Sequence, residues 1–195
     1  MYDEKKAVLD RLNIDESKKI LLFAPTYRDN DGGMQKAELN IASTLACLKM
    51  KTGDEWICLV RAHSASKGLL IDDNPDIIDV SMYPDMADIL LISDFLITDY
   101  SSSPGDFVLT KKPNVLFMPD KDEYEAKCRT FLYSYDEAGF IVTYSQQELE
   151  DVITNMSSDD FSDNCDEIIK YFNIVAKGNA SEQIVQWIRE RSKLK

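Results

Sequence analysis

The sequence predicts an α/β protein built on one doubly wound, parallel sheet of about six strands. Short, mostly apolar runs are typical of strands buried on both faces, and they fall at 20–24, 56–60, 77–80, 95–97, 114–117 and 140–142. Segments with helical spacing separate these runs, which favours parallel strands joined by helices. The expected fold is therefore Rossmann-like.

The segments between the strands predict the helices. We expect helices at 2–12, 39–50, 86–91, 146–155, 165–176 and 181–191, and a further one after Thr98. Pro25 ends the first strand, Thr52-Gly53 stops the second helix, and Met82 to Asp85 form the start of the third. No linker or internal repeat is visible, so residues 1–195 are expected to form a single nucleotide-binding domain.

Charge and composition exclude several classes of protein. The net charge is −13, and residues 71–170 carry 6 basic and 23 acidic side chains, so this middle repels a polyanion such as nucleic acid. No apolar run is long enough to span a membrane, and no signal peptide opens the chain. The four cysteines are scattered without a CxxC pair, which predicts a reducing, cytoplasmic setting without disulfides.

The stretch 93–107 is the strongest candidate site. The apolar run Phe95 to Ile97 ends at Thr98-Asp99, and three serines follow before Pro104. Thr, Asp and Ser after a strand are N-cap residues for a following helix. A helix start presents unpaired N–H groups, and hydroxyls on the same turn add donors, so this turn suits a phosphate or pyrophosphate. The alternative is an ordinary capped turn.

Basic residues follow other strands at the same edge of the expected sheet. Arg28 comes after the first strand, where it either binds an anion or is a plain surface arginine. Arg61 and His63 follow the second strand, and His63 either faces a ligand or is a satisfied polar group. Arg129 stands among acidic and aromatic residues, where it either pairs with carboxylates or reaches a phosphate.

No cofactor or metal is expected. The chain has no glycine-rich phosphate loop and no G-x-G-x-x-G motif. The acidic residues at 71–76 are more typical of a solvated turn than of a cation site. A phosphoacceptor receiver domain is excluded because it needs a carboxylate pair after the first strand, where Pro25 to Arg28 stand instead.

Several motifs together resemble a known family. APTYRD at 24–29, RAH at 61–63 and above all DVSMYPDMADILLISDFLITDYSS at 79–102 are similar to the CDP-glycerol glycerophosphotransferase family of teichoic-acid polymerases and primases. PNVLF at 113–117, DKDEYE at 120–125, Arg129 and GNASEQIVQWI at 178–188 continue the match in order. The resemblance covers nearly the whole chain.

The resemblance implies a fold with two domains that have different roles. Family members have the GT-B architecture of two Rossmann-like halves, and this chain is similar to the C-terminal, donor-binding half. The N-terminal half, which faces the polymer acceptor, is expected to be missing. The C-terminal helix, 180–192, is expected either to pack back or to reach toward that half.

The resemblance also implies roles for individual residues. His63 is implied to contact the donor pyrophosphate and to assist the leaving nucleotide, as the catalytic residue. Substrate-binding roles are implied for Arg28, Arg61, Ser81, Thr98, Asp99, Ser101, Ser102, Asp106 and Arg129. Within this set, Ser101 and Ser102 match the pyrophosphate-binding pair. Ser81 lies where the base is read, and Asp106 suits ribose or glycerol hydroxyls.

The implied reaction is displacement at the β-phosphorus of CDP-glycerol by an acceptor hydroxyl, at the inner face of the membrane as part of a longer protein. The implied partners are a CDP-alcohol and a polymer acceptor, with peripheral membrane contact of the full-length protein. The chain departs from the family's usual residues at Ser64, Pro104, Gly105, Thr130 and Ser134. These departures leave two alternatives open: a related transferase using CDP-ribitol or a nucleotide sugar, and a non-catalytic nucleotide-binding domain.

Overall fold

A computed structural model describes residues 2–26, 34–36, 39–62, 68–70, 73–128, 130, 132–175 and 178–192. In chain order, its helices and strands are α1 (Tyr2–Leu12), β1 (Lys19–Ala24), β2 (Met34–Lys36), α2 (Ile41–Thr52), β3 (Trp56–Val60), β4 (Gly68–Leu70), β5 (Ile77–Asp79), α3 (Met86–Ile92), β6 (Phe95–Thr98), α4 (Ser103–Phe107), β7 (Asn114–Phe117), α5 (Lys121–Lys127), β8 (Val142–Thr143), α6 (Gln146–Asn155), α7 (Ser158–Tyr171) and α8 (Ala180–Ser192). A 3₁₀ turn, Val108–Thr110, follows α4.

The main sheet has the expected six strands, all parallel, in the order β5-β3-β1-β6-β7-β8. Numbered along the chain within this sheet, the order is 3-2-1-4-5-6, which is the Rossmann arrangement. The α/β, Rossmann-like fold predicted from the sequence is confirmed. A second, small parallel sheet pairs β2 with β4, and the sequence did not predict it.

Alternate residues of the central strands fill two cores, one on each face of the sheet. Leu21 and Phe23 of β1 join one core, to which α2, α6 and α7 contribute Leu48, Leu149 and Phe161. Ile20, Leu22 and Ala24 join the core on the other face, with side chains from α1, α3 and α4. Burial on both faces explains why β1, β3 and β6 are apolar runs without alternation.

Helix boundaries follow local capping chemistry. Asp85 accepts a hydrogen bond from the Ala87 N–H and begins α3, as the sequence predicted. Gly53 ends α2 with a φ of 78°, a left-handed conformation that glycine adopts without strain. Ser157 and Asp160 form a reciprocal capping box that begins α7.

Two predicted elements had wrong boundaries, and one helix was missed. Helix α7 spans Ser158–Tyr171 rather than 165–176, because the capping box starts it within an acidic stretch. The last strand is Val142–Thr143 rather than 140–142, and Phe140 instead packs into a third core near β7 and β8. Helix α5 was not predicted at all. None of the residues of α8 is buried.

Candidate functional site

The sheet reverses its strand order between β1 and β6. Parallel strands end at one edge, and Ala24 of β1 is the register partner of Thr98 of β6 at that edge. In doubly wound sheets the connections leave such a switch point in opposite directions and open a crevice for ligands. The stretch that the sequence singled out, 93–107, therefore ends at the position where this fold places a ligand.

Thr98 and Asp99 connect the two strands that flank the switch point. The Thr98 hydroxyl donates to the Ala24 carbonyl oxygen at 2.6 Å. Asp99 is only 4% exposed, and its Oδ1 accepts from the Thr26 N–H at 2.8 Å, the Tyr100 N–H at 2.6 Å and the Thr26 hydroxyl. These contacts make both residues part of the turn that shapes the site.

The predicted capping of the following helix by Thr98 and Asp99 was wrong. Helix α4 begins at Ser103, and its N-cap position is Ser102, whose side chain makes no capping hydrogen bond. Thr98 and Asp99 precede the N-cap position, and their side chains instead form hydrogen bonds with Ala24 at the end of β1 and with Thr26 after it. The Ser101 hydroxyl takes part of the capping role, accepting from the Ser103 N–H at 3.1 Å and donating to the Ser103 hydroxyl at 3.0 Å.

Ser102 and Asp106 are exposed on this side of the molecule, and Ser101 is half-buried. Ser102 is the best placed of the three serines to donate a hydroxyl to a bound anion, since its side chain does not cap the helix. Pro104 occupies the first turn of α4 and is buried, while Gly105 has open space where a Cβ would stand.

Arg61 and Ser81 hold together the segments that follow β3 and β5. The Arg61 guanidinium donates through Nη1 to the Tyr83 carbonyl at 2.8 Å and to the Val80 carbonyl at 3.4 Å. The Ser81 hydroxyl donates to the Asp79 carboxylate at 2.5 Å and accepts from the Ala62 N–H at 2.9 Å. Both side chains thus fix the shape of the crevice wall.

Three of the predicted site residues, Arg28, His63 and Arg129, lie outside the described residues. Their described neighbours are Thr26, Ala62 and Thr130, and the first two follow β1 and β3 at the carboxyl edge of the sheet. Of the other predicted residues, Arg61, Ser81, Thr98, Asp99, Ser101 and Ser102 lie at this edge, and Asp106 lies on α4. Direct contact of any of them with a substrate stays a prediction.

Sequence reasoning missed an aromatic contact beside the switch point. The rings of Tyr100 and Tyr124 stack with centroids 3.7 Å apart and an interplanar angle of 9°. The Tyr100 hydroxyl also donates to Asp120 Oδ1 at 2.8 Å. The only available signal was a tyrosine next to the predicted turn and another in the motif 120–125. The contact joins the turn after β6 to α5.

Within the described part of the chain, no group of three or more His, Cys, Asp or Glu side chains is arranged to hold a metal ion. Over the same residues, no helix combines the length and the apolar composition that crossing a membrane requires.

Comparison with known proteins identifies the family. Residues 1–190 match the family described as CDP-glycerol:poly(glycerophosphate) glycerophosphotransferase. The teichoic acid glycerol-phosphate transferase of Staphylococcus aureus (strain NCTC 8325 / PS 47) is 31% identical over 91% of this chain and 47% of its own length. The teichoic acid poly(ribitol-phosphate) polymerase of Bacillus spizizenii (strain ATCC 23059 / NRRL B-14472 / W23) is 31% identical over 96% of this chain and 31% of its own length.

A solved structure shows the same fold. The wall teichoic acid polymerase TagF, in a variant soaked with CDPG, superposes with a TM-score of 0.78 and 30% identity over all of this chain and 49% of its own. The chain spans between 21% and 48% of the length of the first three curated relatives it matches. Since the family match runs almost from end to end and the fold agrees, the chain belongs to the CDP-glycerol:poly(glycerophosphate) glycerophosphotransferase family.

Proposed function

We propose that this chain is the donor-binding half of a glycerophosphotransferase that acts in teichoic-acid or related cell-wall polymer synthesis. It binds a CDP-alcohol, and the complete enzyme transfers the alcohol phosphate to a hydroxyl of the growing polymer. The observation that carries this proposal is that Ser101 and Ser102, for which the resemblance implies pyrophosphate binding, lie at the switch point of a Rossmann-ordered sheet.

Different residues bind different parts of the donor. Ser101, Ser102 and His63 contact the pyrophosphate, together with Arg28 and Arg129. The segment around Ser81, fastened by its hydrogen bonds to Asp79 and Ala62, reads the base. Asp106 is exposed on α4 and accepts hydrogen bonds from ribose or glycerol hydroxyls.

Arg61, Thr98 and Asp99 act mainly by positioning the groups that touch the donor. Each of them is bonded to backbone groups of neighbouring segments, and Thr98 and Asp99 are buried. Their contacts hold the ends of β1, β3 and β6 at fixed separations, which a rigid site for a pyrophosphate needs.

The reaction is a displacement at phosphorus. The acceptor hydroxyl loses its proton to a base of the acceptor-binding half as its oxygen bonds to the β-phosphorus. The bond from that phosphorus to the bridging oxygen breaks, and CMP leaves with the bonding electron pair. Such a transfer depends on positioning and on stabilising the charge that develops on the leaving phosphate. The hydroxyl of Ser102 and the imidazole of His63 supply that stabilisation, with His63 assisting the leaving nucleotide. The hydroxyl of Ser101 donates to Ser103, so it supplies this stabilisation only after it turns toward the phosphate.

The acceptor side of the site is supplied by another half of the protein. Relatives of this family are two to five times as long as the stretch they share with this chain. Because the relatives are longer, we expect this chain to bind the donor alone and to synthesise polymer only together with an acceptor-binding half.

A CDP-ribitol donor is the second candidate. The chain is 31% identical to a poly(ribitol-phosphate) polymerase over 96% of its length, which keeps this donor open, although the matched family and the first five curated relatives are named for glycerol phosphate.

Calorimetric titration of CDP-glycerol, CDP, CMP and UDP into the wild type and the His63→Ala variant tests the proposal. We expect CDP and CDP-glycerol to bind more tightly than UDP, and His63→Ala to weaken them about tenfold while leaving CMP nearly unchanged. Absence of binding by every nucleotide would overturn the proposal in favour of a domain that has lost its ligand.

We also propose that the full-length protein works at the inner face of the membrane through peripheral contact. Residues 171–195 carry 5 basic and 2 acidic side chains, in contrast to the acidic middle of the chain. Basic segments of this kind are attracted to anionic lipid surfaces. Co-sedimentation with phosphatidylglycerol vesicles at low and high salt is the test, and binding that salt abolishes is the expected result.

A further inference from the structure

Tyr100 stands in the middle of the turn that follows β6. On one side of it is Asp99, whose carboxylate accepts from the Tyr100 N–H at 2.6 Å and from the Thr26 N–H, after β1, at 2.8 Å. On its other side are Ser101 and Ser102, which supply hydroxyl groups at the switch point. Any change of the backbone at Tyr100 therefore shifts these hydroxyls relative to the end of β1.

The side chain of Tyr100 contacts α5 at two points. Its ring stacks on the ring of Tyr124, with centroids 3.7 Å apart and an interplanar angle of 9°. Its hydroxyl donates to Asp120 Oδ1 at 2.8 Å. The Tyr124 N–H donates to the Asp120 carbonyl at 2.9 Å, so both contacts lie at the start of one helix. A stacked ring and a hydrogen-bonded hydroxyl together fix the orientation of Tyr100.

Asp120 makes this contact in place of a local one. It occupies the N-cap position of α5, where an aspartate normally accepts from an N–H of the first helical turn. Within the described residues, its carboxylate makes no capping hydrogen bond to α5 and accepts instead from the Tyr100 hydroxyl, 20 positions earlier in the chain. The pairing of Tyr100 with α5 is therefore a tertiary contact and not a consequence of helix capping.

The serine turn, residues 99–102, is consequently held on both sides. Strand β6 lies between β1 and β7 in the sheet, and α5 follows β7. Asp99 connects the turn to the segment after β1, and Tyr100 connects it to α5. Hydroxyl groups that are already fixed lose less freedom when they bind a ligand, so a turn held in this way binds an anion more tightly than a mobile one.

We propose that Tyr100 is a positioning residue for donor binding, whose contacts with α5 hold the Ser102 hydroxyl where it donates to the pyrophosphate. The inference rests on the proposed function and adds a residue outside the set for which the resemblance implies a role. Tyr100 acts through Ser102, since its own hydroxyl donates to Asp120. The exposed Ser102 side chain makes no capping hydrogen bond to α4, so its orientation depends on the backbone of the turn.

A double-mutant cycle tests this action through Ser102. CDP is titrated calorimetrically into the wild type, Tyr100→Leu, Ser102→Ala and the double variant. We expect Tyr100→Leu to weaken CDP about tenfold when Ser102 is present but less than about twofold when it is alanine, because the hydroxyl that Tyr100 positions is then gone. Cytidine, which has no phosphate, should bind to Tyr100→Leu and to the wild type alike.

Conservative variants separate the ring of Tyr100 from its hydroxyl. Tyr100→Phe keeps the stack on Tyr124 and loses the bond to Asp120, so it should weaken CDP about threefold. Asp120→Ala removes the same bond from the other side and should have a similar effect. The matched control is Asp122→Ala, an exposed residue on the first turn of α5, which makes the same change of charge and should leave CDP binding unchanged.

Far-ultraviolet circular dichroism and urea denaturation check that each variant is folded. If Tyr100→Leu is not, the same cycle with Tyr100→Phe decides. Additive losses in the cycle would overturn the inference, and so would unchanged CDP affinity in the folded Tyr100 variants or an equal loss of affinity for CDP and cytidine. In each of these cases the wild type binds CDP, and the donor-domain proposal stands. If the wild type binds neither ligand, both proposals fail together.

Discussion

Asp99 shows at the level of a single residue how the site is kept in shape. Its buried carboxylate accepts backbone hydrogen bonds from Thr26 and Tyr100, one on each side of the switch point. Charge-assisted hydrogen bonds of this kind contribute more than neutral ones, and a buried N–H that loses its acceptor costs free energy.

The Asp99→Ala variant should therefore lower the free energy of unfolding by about 3 kcal/mol, because two N–H groups lose a charged acceptor. Urea denaturation followed by circular dichroism measures this loss. The control is Asp106→Ala, an exposed aspartate on α4, which should change stability by less than about 0.5 kcal/mol. Equal losses in the two variants would mean that Asp99 does not connect the strands.

The residues that form the site were predictable from the sequence, but the groups to which they hydrogen-bond were not. The positions of Ser101, Ser102, Thr98 and Asp99 after a buried strand were visible in the sequence. The assignment of Thr98 and Asp99 as helix caps failed because their strongest partners, Ala24 and Thr26, lie more than 70 positions away in the chain. Local capping rules do not include partners that only tertiary structure brings close.

At the level of elements, Gly105 lies inside the short helix α4. The backbone there is helical, and a Cβ at this position would meet nothing within 4 Å. Gly53, at the end of α2, also has open space but a φ of +78°. These two glycines differ in backbone conformation rather than in the room around them.

The Gly105→Ala variant should raise the free energy of unfolding by about 0.5–1 kcal/mol, because alanine loses less backbone freedom on folding. The Gly53→Ala variant should lower it by about 1 kcal/mol, because alanine is strained in the left-handed region. Thermal and urea denaturation measure both changes. A destabilised Gly105→Ala protein would show that α4 is not helical at this position.

The capping box of α7 gives a pH-dependent prediction. Hydrogen bonds from the Ser157 N–H and hydroxyl lower the pKa of Asp160 below its ordinary value. A carboxyl whose pKa is lowered on folding stabilises the protein above its unfolded pKa of about 4. This contribution is lost as the pH falls through the lower, folded-state pKa.

We therefore expect Asp160→Asn to lower the urea midpoint near pH 7. The difference from wild type should shrink below about pH 4, where Asp160 is protonated in the unfolded chain, and disappear below the lower pKa of the folded protein. Asp163→Asn, exposed on the same helix, serves as the control and should show a smaller difference at neutral pH. A gap between wild type and Asp160→Asn that is the same at every pH would contradict the capping role.

Element prediction succeeded where burial decides the sequence pattern. The central strands β1, β3, β6 and β7 were predicted because both of their faces are covered, so their sequences are mostly continuous apolar runs. Strands β2 and β4 have three residues each, too few to show a period. The start of α7 was missed because Ser158 to Asp160 look like a polar loop until the cap at Ser157 is recognised.

At the level of the whole molecule, the described core is independent of the last helix. None of the residues of α8 is buried, and its apolar side chains Ile184, Val185, Trp187 and Ile188 are all about half exposed or more. The helices that cover the two faces of the sheet all precede α8 in the chain.

Truncation after Gly178 should consequently change the free energy of unfolding by less than about 0.5 kcal/mol, because none of the described side chains that it removes is buried. Urea denaturation of the truncated and complete chains makes the comparison, with the slope of the transition reporting the surface exposed on unfolding. A loss of more than about 1 kcal/mol would mean that α8 packs on the domain in solution.

The pairing of β1 with β6 has a consequence for how the protein is made. Residues 21–24 are synthesised before their partners at 95–98, which follow only after two further strands of the sheet and two helices. Contacts so distant in sequence form slowly, and unpaired apolar strands promote aggregation while they wait. The emerging chain must therefore carry Leu21 to Ala24 unpaired on their β6 side until residues 95–98 have been translated, so we expect the yield of folded protein to depend on chaperones and on the rate of synthesis.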